Sequence, residues 1–255
     1  MNGLYNIWIA LLLGYLIGSF LNVVMTRLPI MLGVIKKKHK FSRYDLALPC
    51  SHCLHCQEPL RWWQNIPLFS YLYLKGRCHF CQKQIPFRYF WVEVTTPVLT
   101  AMCFFVAQNS YLFFFFSFFC CLALVIIVID WEWMVIPDVL NYLLLWTGLL
   151  VNSIYSLVPL DEAIWGAMIA YLGLWGFYHL LYWTTKKRGM GYGDFKLYAA
   201  LGAWFGVYQI FHILFIASVI GLIIALVQFK KWGEPFPFGP ALCIAGFITL
   251  FMNHI

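Results

Sequence analysis

Charge is the scarcest commodity in this chain. Only 11% of its 255 residues are charged, 10 acids against 17 Lys and Arg, where soluble domains carry about a quarter. That shortage, with 63% hydrophobic residues, excludes an ordinary soluble protein. Residues 1–26 contain no Lys or Arg, so the basic start of a cleavable signal peptide is missing and 1–25 reads as a permanent first span. A Gly-rich strand–turn–helix is also absent, which excludes a Rossmann-type cofactor site. So is the internal repeat typical of transporters.

Long apolar stretches are plentiful. A helix needs about 20 apolar residues to cross a bilayer, and eight segments are candidates: 3–25, 91–108, 111–129, 139–157, 160–183, 195–208, 210–229 and 240–253. The sixth and eighth are short, as tilted or re-entrant helices would be. The expected fold is an all-α polytopic membrane protein of about eight transmembrane helices with one cytoplasmic insertion. Three parts follow: a first span, 1–25; the polar insertion, 26–90; and a transmembrane domain, 91–255.

Charge placement supports this order. With the N-terminus outside, every Lys and Arg except Lys196 falls in the inner segments 26–90, 130–138, 184–194 and 230–239. Lys196 sits at the inner end of the sixth span. This obeys the positive-inside rule with both termini outside. The net charge of +7 thus reflects topology; nucleic acid is not implied, and the lipid bilayer is the expected partner.

The insertion carries Cys53-Leu54-His55-Cys56 and, after a gap of 21 residues, Cys78-His79-Phe80-Cys81. Two such knuckles suit a tetrahedral structural zinc held by Cys53, Cys56, Cys78 and Cys81. Reduced or redox-active cysteines are the other reading. Cys50, His52, His55 and His79 lie close by as alternative ligands, with surface neighbours of the site preferred. Cys103, Cys120, Cys121 and Cys243 fall in apolar spans as packing residues.

Ionisable groups at membrane depth are costly and mark function by default. Asp130 ends the third span, and Asp194 starts the sixth within Gly191-Tyr192-Gly193-Asp194, so topology puts both on one face. Such a pair shares a proton, and its ionised member can activate water while the protonated one polarises a carbonyl. Gly191 and Gly193 would allow φ > 0 and close approach of an extended substrate. The alternative makes Asp194 a helix N-cap. Asp138, after Pro137, reads as an N-cap, Glu132 as a solvated carboxylate, and Glu93 as the partner of an arginine.

Beyond these sites, the chain contains Gly18-Ser19-Phe20-Leu21-Asn22, Arg27-Leu28-Pro29, Asn65-Ile66-Pro67, Gly76-Arg77-Cys78, Val92-Glu93, Phe195-Lys196-Leu197 and Pro237-Phe238-Gly239-Pro240. In this order and spacing the chain resembles the bacterial type IV prepilin peptidases, the leader peptidase/N-methyltransferases of the GxGD class. The resemblance implies an inner-membrane aspartic endopeptidase, active at the cytoplasmic face, with Asp130 and Asp194 catalytic. Gly191, Gly193, Lys196 and Asp138 would support the loop and substrate. Prepilins or pseudopilins would be the substrates. The tetracysteine loop implies N-methylation of the new terminus with S-adenosyl-L-methionine. Leu54 and Phe90 replace prolines common in that family, and Cys50 is additional. The competing readings are a transporter relaying protons or cations through Asp130 and Asp194, and a membrane-anchored zinc adaptor.

Overall fold

The computed structural model describes residues 2–35, 44–186, 190–227 and 236–252. Of the predicted inner cations, Lys36, Lys37, Lys38, Lys40, Arg43, Lys187, Arg188, Lys230 and Lys231 lie outside the described residues. Regular structure among the described residues is helical, apart from two isolated β-bridges. The chain forms two compact units, Met1–Gln108 and Asn109–Ile255.

In the first unit, α1 (Asn2–Met31) packs on α3 (Arg88–Val106), and the short α2 (Phe69–Tyr73) lies in the polar segment between them. The α1–α3 seam is built from small residues. A side chain on Gly18 would press on Thr96 at 3.3 Å, and Thr100 Oγ1 donates to Ala10 O at 3.2 Å. Such close backbone approach is how helices associate in a lipid-like solvent, where apolar surface alone gives little preference. The helix runs to Met31, beyond the expected end at residue 25, and takes Pro29 into its last turns.

The second unit holds α4 (Ser110–Trp133), α5 (Asp138–Tyr155), α6 (Leu160–Thr185), α7 (Tyr192–Val227) and α8 (Gly239–Met252), with α7 packed against α5, α6 and α8. Each of the eight expected apolar segments is helical over most of its described residues. The sixth and seventh are the two limbs of α7, which break at Gly206 (φ 76°, ψ 177°) rather than near residue 209. Only glycine takes that backbone cheaply, and Val158 leaves no room there for a Cβ. Carbonyls released by a kink need new donors at membrane depth. Asn152 supplies them: its Nδ2 donates to Ala203 O at 2.8 Å and Trp204 O at 3.2 Å. Gly166 and Gly202 bring α6 and α7 into backbone contact, so that a Cβ on Gly166 would lie 2.7 Å from Gly202 O.

Among the described residues, five helices are long and apolar enough to cross a membrane: Ile7–Met31, Arg88–Val106, Ser110–Trp133, Leu160–Thr185 and Tyr192–Val227, with Gly239–Met252 a shorter apolar helix. The chain is a multi-pass membrane protein.

Candidate functional site

Two constellations stand out, one in each unit. In the first unit, the two cysteine knuckles have the same local geometry. Cys53 N–H donates to Glu58 O at 3.0 Å and Cys78 N–H to Lys83 O at 2.9 Å, while Gln57 and Gln82 donate back to Cys53 O and Cys78 O at 3.0 Å each. Both glutamines take positive φ, 60° and 56°. His52–Pro59 and Arg77–Gln84 bridge the two turns in register. The repeat presents all four thiols inward, their Sγ atoms within 4.8 Å of one another. Cys53 and Cys81 are 3.8 Å apart and Cys56 and Cys78 4.0 Å. A tetrahedron with metal–sulfur bonds of about 2.3 Å has edges of about 3.8 Å, so the donor set fits zinc.

The electrostatics of the bare thiols point the same way. Burial pushes the Cys53 thiol up to about 12, whereas the Lys83 backbone N–H holds Cys81 down to about 7. Gathering four thiolates without a cation is unfavourable, and a bound dication removes that cost. Cys50 is exposed and outside the four-sulfur group, and His52, His55 and His79 are not part of it.

In the second unit, Asp130 lies in the last turn of α4, just before Met134 closes the helix in a left-handed conformation. Asp194 is the third residue of α7. The two side chains are 4% and 8% exposed, and their carboxylates interact electrostatically. Each is oriented by a glycine N–H. Gly239 N–H, opening α8, donates to Asp130 Oδ2 at 3.0 Å, and Gly191 N–H donates to Asp194 Oδ2 at 3.2 Å. The N-terminal end of a helix favours negative charge, so α8 stabilises the Asp130 carboxylate where it stands.

Several expectations about individual residues change. Asp194 sits inside the first turn and reaches back to Gly191 N–H, half of a capping box, rather than occupying the N-cap itself. Neither Gly191 nor Gly193 has a positive φ. Gly193 is small because a Cβ there would lie 3.0 Å from Ile136 Cβ, and its carbonyl accepts from Asn141 Nδ2 at 3.2 Å. Asp138 does not cap α5; Pro137 holds that place, and Asp138 Oδ2 pairs with Lys196 Nζ at 2.7 Å. That ion pair ties the first turn of α5 to the second turn of α7. Glu93 accepts the Leu68 N–H at 2.7 Å instead of an arginine, and Glu132 is exposed as expected.

Three contributors carried no assigned functional role in the sequence. Gly239 belongs to a recognisable Pro-Phe-Gly-Pro run, but nothing local says that its N–H reaches a residue 109 positions earlier. Ile136 wedges between Gly193 and Gly239. Cys243, assigned to packing, is fully buried and lies within electrostatic reach of both aspartates.

Comparison with known proteins agrees with the two-unit layout. Residues 12–107 match the Bacterial Peptidase A24 N-terminal domain and residues 117–226 the Type IV leader peptidase family. A prepilin leader peptidase/N-methyltransferase of Pseudomonas putida is 40% identical over 266 residues, spanning 98% of this chain and 92% of its own. Those of Stutzerimonas stutzeri and Aeromonas salmonicida are 38% and 41% identical, over 98% and 94% of this chain and 91% and 88% of theirs. No solved structure matches. With relatives this similar along nearly its whole length, the chain belongs to the type IV leader peptidase family.

Proposed function

We propose that this protein cleaves the short basic leader from type IV prepilins or pseudopilins with the carboxylates of Asp130 and Asp194, and then N-methylates the exposed terminus. The carrying observation is the buried carboxylate pair, each member oriented by a glycine N–H at the start of a different helix, in a chain of this family. Two buried carboxylates in electrostatic contact hold one proton between them. The ionised member takes a proton from the attacking water, and the protonated member hydrogen-bonds the scissile carbonyl as negative charge grows on its oxygen. Attack gives a tetrahedral gem-diol; the C–N bond then breaks as the leaving amine collects a proton from the pair. A helical substrate must unwind locally first, because its own hydrogen bonds shield the peptide carbonyl.

The Asp138–Lys196 pair and Gly191 and Gly193 hold the approach to the carboxylates. Cys53, Cys56, Cys78 and Cys81 would hold a structural zinc that closes the 26–90 module, and S-adenosyl-L-methionine would supply the methyl group. Cleavage belongs to the helices of 91–255. The protein lies in the bacterial inner membrane with module and aspartates on the cytoplasmic side, a placement supported by Lys and Arg on the faces that carry them. No observation favours the transporter or adaptor readings.

The test is direct. Purified protein is incubated with a model prepilin, with and without S-adenosyl-L-methionine, and the product N-terminus is read by mass spectrometry. Wild type removes the leader and adds a methyl group only with the donor present, while folded Asp130→Asn and Asp194→Asn do neither. Retained cleavage in either variant refutes the aspartate assignment.

A further inference from the structure

The polar module of the first unit carries large apolar side chains on its outside. Trp62, Leu72 and Tyr73 are 82%, 64% and 68% exposed, and Phe69, Phe87 and Trp91 are each more than half exposed. Apolar residues scattered singly over a surface are ordinary, but these are joined into a patch. Phe69 stacks on Tyr73 with ring centroids 5.9 Å apart, and Phe87 meets Trp91 edge-on at 5.6 Å. Tyr71 of α2 links the two groups, 6.4 Å from Phe87 and 5.5 Å from Phe90. Neither metal binding by the four thiols nor leader cleavage uses these side chains.

The position of the patch along α3 points to what covers it. α3 has 19 residues, which at a rise of 1.5 Å per residue give a length of about 28 Å. That only just spans a hydrocarbon core of about 30 Å, so the Arg88 end has no turns to spare and lies at the edge of the bilayer. α2 packs beside this end rather than beyond it. The Leu68 N–H, at the start of α2, donates to Glu93 Oε2 at 2.7 Å in the second turn of α3, and Tyr71 meets Phe87 and Phe90 before and within the first turn. The level that α2 shares with the start of a membrane span is the headgroup layer. Trp and Tyr favour that layer, where the apolar body and the polar tip of each ring both find a match. Arg61 and Lys75, both exposed, flank the segment.

We propose that residues 61–75 are a membrane-seating segment, in which Trp62, Phe69, Leu72 and Tyr73 enter the headgroup layer while Arg61 and Lys75 bind lipid phosphates. The occupant is phospholipid rather than a polypeptide, because the patch runs without a break onto Trp91 of a membrane-spanning helix and is bordered by cations. Lys and Arg at a membrane surface each add attraction to anionic lipid, so the seat prefers anionic headgroups. It holds the tetracysteine module against the bilayer through contacts outside α1 and α3, the two helices that carry it. The proposal is the same for either side of the membrane and does not depend on the methyl-transfer reading.

The test uses the full-length protein in nanodiscs of mixed phosphatidylcholine and phosphatidylglycerol. The photo-crosslinking residue p-benzoyl-phenylalanine replaces Leu72 in one sample and Glu58, an exposed acid of the first knuckle turn, in another. Adducts are identified by mass spectrometry after illumination, first without and then with added prepilin. Leu72 should yield phospholipid adducts in both conditions, and Glu58 few or none. Trp62→Glu and Phe69→Glu, made separately, should each lower the lipid adduct at position 72 by about fivefold or more, because a carboxylate resists entry into that layer. Unchanged zinc content shows that the module is still folded in each. Arg61→Gln with Lys75→Gln should lower the ratio of phosphatidylglycerol to phosphatidylcholine adducts by about tenfold, as loss of two surface cations predicts. Equal lipid labelling at Leu72 and Glu58 overturns the seat, and so does full labelling in both glutamate variants. Adducts at Leu72 to prepilin or to a second copy, with none to lipid, assign the patch to a polypeptide and overturn the proposal. An unchanged lipid ratio in the Arg61→Gln, Lys75→Gln protein overturns the role of the two cations.

Discussion

Gly239→Ala is the substitution that tests how the aspartates are positioned. The new Cβ would lie 2.7 Å from Asp130 Oδ2 and 2.9 Å from Ile136 Cδ1. Both atoms are ends of side chains, so the helices need not move; the carboxylate must. Swinging away breaks the 3.0 Å bond from Gly239 N–H, and hydrogen bonds to charged groups contribute roughly 1.5–3 kcal/mol. If that stabilisation is needed to hold the carboxylate in its reactive position, the rate of leader cleavage should fall about 10- to 100-fold, at about 1.4 kcal/mol per tenfold. Stability should fall much less, because the displaced groups can rotate. The assay is single-turnover cleavage of a model prepilin by mass spectrometry, with a melting curve of the same sample. Gly173→Ala, where nothing lies within 4 Å, is the neutral control. Cleavage by Gly239→Ala within twofold of wild type would refute the claim that α8 positions Asp130.

Further outcomes follow from other parts of the fold. Gly166→Leu should yield no folded protein, because its side chain would enter the backbone of α7 at Gly202 and Gly206; a normal melting curve for detergent-purified variant would contradict that packing. Lys196→Ala should cost little stability, at most about 1 kcal/mol, since the pair with Asp138 is partly exposed and such pairs are weak. It should slow cleavage several-fold by loosening the loop, and the charge swap Asp138→Lys with Lys196→Asp should recover part of that loss; a swap no better than either single change would argue against the ion pair. Cys78→Ser should release zinc, measured by elemental analysis, and open 50–85 to limited proteolysis, because structural zinc contributes on the order of 10 kcal/mol to small modules. Methylation should suffer more than cleavage; full methylation by a metal-free variant would disconnect the metal from that activity.

Much of this protein was legible in its sequence because lipid leaves a chain few options. Apolar stretches must become helices to satisfy their own backbone, and polar, charged residues collect in the segments between them. That predicted the eight helical segments and placed Asp130 and Asp194 at span ends. The two Cys-x-x-Cys pairs likewise identify the four thiols that the fold gathers within 4.8 Å of one another, because the knuckle geometry is encoded within a few residues. What the sequence could not decide were relations between distant residues. The break in α7 depends on Val158 crowding Gly206 and on Asn152 standing ready for the freed carbonyls. Asp138 reads as a cap until Lys196 is brought beside it from 58 positions away. The φ > 0 reading of Gly191 and Gly193 came from local rules, whereas Gly193 is small because Ile136 packs against it. Gly239 holds Asp130 only after helices far apart in the chain have packed. Local chemistry and the solvent determined the elements and their order; shape complementarity between elements decided which carboxylate is held, and by what.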